Sequence, residues 1–94
     1  MSDLQREVLR WVGDEYESAE TIRENAARAL GRPLTGAEVS AALAQLVLAG
    51  RVAAFRYDKA EEAFERLEGL PDGVEGLWFL ALPRGDARDD RAAT

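Results

Sequence analysis

Cysteine and histidine are both missing from the 94 residues. The first absence excludes disulfides and thiolate metal sites, and the second removes the commonest metal ligand and general base. Ser2, Ser18 and Ser40 therefore have no imidazole to activate them as nucleophiles. No glycine-rich phosphate loop or dinucleotide fingerprint is present, so no cofactor is expected, and an enzyme is not the reading these residues favour. Long apolar runs are lacking too: nothing approaches the roughly 18 residues of a membrane span. The start, Met1 to Glu7, has neither the cationic stretch nor the apolar stretch of a signal peptide, which gives a cytoplasmic expectation with no membrane partner. Lysine is scarce, Lys59 alone against eleven arginines, a skew that fits a GC-rich bacterial coding genome.

What is present is a globular composition, 47% apolar and 32% charged, of a length that suits one domain. A chain this short buries only about 60 to 65% of the surface its unfolded form exposes, so there is room for one core. Its net charge of −6 favours solubility and opposes non-specific attraction to phosphate or anionic lipid.

Local signals divide the chain into elements. Ser2-Asp3-Leu4-Gln5 forms a capping box for a first helix with Leu4, Val8, Trp11 and Val12 on one face and a stop at Gly13. Tyr16 can lie in a very short extended piece, after which Ser18 caps a second helix with Ile22, Ala26, Ala29 and Leu30 inward and Gly31 at its end. Thr35-Gly36-Ala37-Glu38 is a second capping box, and the third helix it opens carries Val39, Leu43, Leu46 and Val47 on one face before Gly50. Residues 51–57 and 77–82 read as strands that pair antiparallel, with Leu70-Pro71-Asp72-Gly73 as a turn before the second. Between them Ala60, Ala63, Phe64 and Leu67 recur at helical spacing after Asp58, which predicts a short fourth helix ended by Gly69. Residues 1–83 form the expected domain and 84–94 a charged tail; the Arg84-Gly85-Asp86 tripeptide in it is read as chance.

The expected class is α+β, mainly α: a three-helix bundle plus a small antiparallel hairpin. This plan, with the run from Leu34 to Val52 in which a capped helix ends in glycine and a strand starts at once, resembles the winged helix-turn-helix superfamily, including MarR-like and PadR-like bacterial regulators. The resemblance covers about residues 3 to 83 and implies DNA-binding geometry, with the third helix in the major groove and the hairpin as wing.

The side chains give that geometry little charge to work with. Residues 36–49 contain no Lys or Arg, and the wing from Tyr57 to Gly76 carries seven acids against Lys59 and Arg66. Arg28, Arg32, Arg51 and Arg56 are the only basis for a nucleic-acid partner; the alternative is that they solvate the surface and pair with acids. The third helix is apolar or small nearly all round, so its outward positions, Ala37, Ser40, Ala41 and Ala44, need a cover. A second copy, a protein partner, or the chain's own residues 59–68 with Phe64 and Leu67 as lid would each supply one.

Trp78 and Phe79 are adjacent on a strand and must point to opposite faces, so one of them is outward-facing or covered. With Trp11 they form a candidate aromatic patch for an interface. Glu61 and Glu65, four apart on the expected fourth helix, could hold a hard cation, but a solvated acidic face is the plainer reading and no metal is expected. The leading expectation is a non-catalytic interaction module that binds protein, itself or a partner, and the runner-up is a DNA-binding regulator using the four arginines.

Overall fold

A computed structural model describes residues 2–68, 70, 74 and 76–82. The expected turn at 71–73, the stop at Gly69 and the tail 84–94 lie outside these described residues. The elements run α1 (Asp3–Val12), β1 (Glu17–Ser18), α2 (Ala19–Leu30), α3 (Gly36–Leu48), β2 (Val52–Asp58), β3 (Ala63–Arg66) and β4 (Leu77–Ala81). The four strands form one antiparallel sheet in the order β1-β4-β2-β3. Three helices with this sheet are consistent with a winged-helix-like α+β fold.

Each helix starts where a side chain satisfies its orphan N–H groups. At α1 the Gln5 amide N–H donates to Ser2 Oγ (3.1 Å) and the Ser2 N–H to Gln5 Oε1 (3.2 Å). Ser18 Oγ accepts from the Thr21 N–H at 3.2 Å to open α2. At α3 the Glu38 N–H donates to Thr35 Oγ1 (3.1 Å) and the Thr35 N–H to Glu38 Oε1 (3.0 Å). The end of α2 requires a left-handed residue: Gly31, at φ 72°, directs its N–H to the Ala27 and Arg28 carbonyls.

The core fills the space between the helices and one face of the sheet. Val8 and Val12 of α1, Ile22 and Ala26 of α2, and Val39, Ala42, Leu43 and Leu46 of α3 meet Val52 and Ala54 of β2 and Leu77 and Phe79 of β4. These strand residues alternate along β2 and β4, as one face of a pleated sheet demands. Two expected inward positions differ: Ala29 is exposed, and Trp11 stands at the rim, 36% exposed, its indole N–H donating to Glu7 Oε2 at 3.2 Å.

The expected fourth helix is not formed. Residues 63–66 are instead strand β3, paired with β2 in the register Phe55↔Arg66, Arg56↔Glu65, Tyr57↔Phe64 and Asp58↔Ala63. Asp58 does cap, but only a turn: its Oδ1 accepts from the Ala60 N–H (2.9 Å) and the Glu61 N–H (3.3 Å). A helix of under about 12 residues is marginal by itself, and here two of its four spaced apolar residues were alanines, with little area to bury. Pairing along β2 satisfies the same backbone groups and places the Phe64 ring against other rings. Glu61 now lies in the turn and Glu65 in the strand, so the helical spacing that would have brought them together is gone.

The hairpin loop closes through Glu62 at φ 52°. A left-handed conformation costs a side-chain-bearing residue about 1–2 kcal/mol, whereas glycine loses about 0.5–1 kcal/mol through its freer unfolded state. Glu62→Gly is therefore expected to raise stability by up to about 1 kcal/mol, a Tm increase of a few degrees for a domain of this size. A lower melting temperature would show that the turn holds Glu62 by interactions worth more than the strain.

Candidate functional site

Two surfaces stand out, on opposite sides of the sheet. The first is the outward face of α3. Ala37, Ala41, Gln45 and Leu48 are exposed and Ser40 and Ala44 half-buried, while Leu48 keeps 80% of its surface in contact with solvent. Glu38, the one charged residue of the helix, is engaged at its N-terminus. There the Thr35 backbone N–H holds the Glu38 carboxyl below its ordinary range, with Arg32 adding to the effect. Residues 59–68 do not cover this face: Phe64 lies among rings on the far side of the sheet, and Leu67 packs at the edge of the core.

The second surface is the face of the sheet turned away from the helices. Phe55 and Tyr57 alternate with the core-facing residues of β2 and Trp78 with those of β4, Phe64 of β3 is paired with Tyr57, and Tyr16, just before β1, lies over them. Tyr16 stacks on Phe64 with ring centroids 3.8 Å apart and planes 10° apart, and meets Phe55 edge-on at 5.0 Å. Phe64 also takes edge contacts from Tyr57 at 5.2 Å and Trp78 at 5.9 Å. Five of the seven aromatic residues are thus gathered outside the main core, Tyr16 remaining 38% and Tyr57 42% exposed.

Among the sequence-predicted residues, Ala37, Ser40, Ala41 and Ala44 share the α3 face. Trp78 does not join them: it is the outward member of its pair, on the aromatic face, and Phe79 is fully buried in the core. The expected helix-and-tryptophan interface therefore falls into two surfaces. Tyr16, Phe55, Tyr57 and Phe64 were missed by the sequence reading. The period-two spacing of Phe55 and Tyr57 was a usable signal, but reading Phe64 as helical concealed its register with them.

The four arginines are spread out. Arg28 is exposed near the end of α2, its guanidinium donating to Asn25 Oδ1 at 3.2 Å. Arg32 pairs with Glu38 at 3.3 Å beside the start of α3. Arg51 follows the other end of that helix, about 20 Å away for thirteen residues at 1.5 Å each. Arg56 lies further along β2, opposite Leu77 and Glu65.

Among the described residues no group of three or more potential metal ligands is found, and no helix is long and apolar enough to cross a membrane. Comparison with protein-family profiles, with curated proteins and with solved structures found no match.

Proposed function

We propose that this chain is a non-catalytic, winged-helix-like interaction module whose α3 outer face associates with a second copy of the chain. The observation that carries this reading is an uncharged helix face, on a protein of net charge −6, that ends in a leucine 80% exposed. The face is self-complementary about a two-fold axis. An antiparallel crossing of two α3 helices near Ala41 and Ala44 sets the projecting Leu48 of each copy against the small Ala37 of the other. Isologous interfaces need such matching of a patch with itself, and alanines let two backbones approach closely. The like charges that would oppose dimerisation lie elsewhere on the surface.

The strength follows from size. A helix face about 20 Å long and about 10 Å across offers on the order of 200 Å², against the roughly 800 Å² per partner of stable complexes, so the association should be weak and concentration-dependent. Light scattering over a concentration series is expected to show a mass rising above the 10.3 kDa of one chain. Leu48→Glu, at an exposed position, is expected to leave the fold intact and the mass at the monomer value. A monomer at every concentration, or a Leu48→Glu variant that associates like the parent chain, would overturn the reading. The rival DNA-binding reading is separated by titrating random-sequence duplex DNA at two salt concentrations, because phosphate contacts weaken steeply as salt rises.

A further inference from the structure

We infer that the hairpin edge and the aromatic face beside it form a second binding site, which takes an extended, arginine-bearing segment of another protein. This goes beyond the α3 reading and uses the opposite side of the sheet. Three independent features converge on it.

The first is a free edge. In the strand order β1-β4-β2-β3, β3 is terminal, and among the described residues nothing pairs with its outer side. Its backbone groups are a template on which an extended segment can add as a fifth strand, with main-chain hydrogen bonds supplying affinity.

The second is what such a strand would meet. Phe64 of β3 faces the aromatic side of the sheet, so alternate side chains of the added segment would emerge next to Phe64, and an arginine is long enough to extend across it to Tyr57 on β2. Tyr57 is 42% exposed, and Tyr16 uses one ring face on Phe64 with no other ring stacked on it among the described residues. Open π faces attract cations, and a guanidinium, being planar and weakly hydrated, stacks on them better than an ammonium does.

The third is charge. Asp14 and Glu15 precede Tyr16, and Glu61 and Glu62 form the exposed turn beside Tyr57 and Phe64; Asp58 and Glu65 line the same edge from the other face of the sheet, and Glu17 lies on β1 at the opposite edge. Against these seven carboxylates the same stretches, 14–17 and 55–66, carry only Arg56, Lys59 and Arg66; Arg56 lies on the other face beside Glu65, and Arg66, two residues from Phe64, is the cation that shares its face. Among the described residues none of the seven is in an ion pair. The surplus repels a nucleic-acid strand, which could otherwise stack its bases on the rings. It also repels the equally acidic edge of a second copy. A cationic peptide strand is the occupant that satisfies edge, rings and charge together.

The test is calorimetric and NMR titration of the full chain with a short capped peptide of alternating arginine and threonine. Its lysine and glutamate counterparts and an oligothymidylate are the comparison probes. The expected result is saturable binding of the arginine peptide, weaker binding of the lysine peptide, and no binding of the other two. Amide shifts should centre on Ala63 to Arg66. Tyr57→Ala, which alters no charge, is expected to weaken binding about tenfold, while Tyr57→Phe retains it. Glu61→Gln with Glu62→Gln, in an exposed turn where folding is not at stake, should weaken it as well. The inference is overturned by absence of binding, by unchanged affinity in Tyr57→Ala or in the double glutamine variant, or by preference for the oligonucleotide.

Discussion

Phe79→Ala is expected to cost about 3–5 kcal/mol, the range for deleting a buried aromatic side chain and leaving a cavity. Phe79 is 0% exposed and is the only aromatic ring in the buried core, where it lies with Leu43 and Leu46 of α3 and Ile22 of α2. A chain of 94 residues has a total stability of about 5–14 kcal/mol, so this one change removes from a fifth of it to the whole. Its neighbour supplies the contrast. Trp78 has the larger side chain, but it is half-buried on the opposite face, where it meets Phe64 edge-on. Trp78→Ala should cost about 1–2 kcal/mol, within the ordinary range for single substitutions. Urea unfolding of both variants measures the difference, provided the denaturant slope is unchanged. Equal losses would mean that the sidedness of β4 is not as described.

Phe64→Ala is expected to cost about 2–3 kcal/mol, with the damage confined to the hairpin. Phe64 is the hub of the aromatic face, stacked on Tyr16 and edge-on to Tyr57 and Trp78. Ring pairs of this kind contribute about 0.5–1.5 kcal/mol each beyond the area they bury. Through Tyr16 this ring also fastens the connector after α1 to the hairpin, so its loss frees two segments at once. Hydrogen exchange should quicken most at Ala63 to Arg66 and least in α1, α2 and α3, since the core they share with β2 and β4 lies on the other face of the sheet from Phe64. The same substitution would raise the helical signal if residues 59–68 were a helix, because alanine is the best helix former. Increased helicity without destabilisation would therefore sink the strand assignment.

The features legible in the sequence were those whose cause lies within a few residues. The capping boxes at Ser2 and Thr35, the Ser18 cap and the left-handed Gly31 place helix boundaries because their hydrogen bonds run between neighbours in the chain. The inward stripe of α3 and the β-rich runs that became β2 and β4 were legible for the same reason, periodicity being a local property. The α3 surface could also be anticipated, since a helix apolar nearly all round must leave some of that face outside a single small core.

Tertiary structure decided the remainder. Whether residues 60–67 wind into a helix or extend beside β2 turns on Phe55↔Arg66 and Tyr57↔Phe64, pairings that no local pattern encodes. The aromatic face depends on Tyr16 reaching Phe64 from the other half of the chain, and the separation of Trp78 from α3 on which side of β4 faces the core. The sequence by itself determined three capped helices, two central strands and a net negative charge, because caps, periodicity and charge act over a turn or two of backbone. The tertiary structure alone decided strand β3 and the two separate surfaces, because strand register and ring stacking exist only once distant segments are brought together.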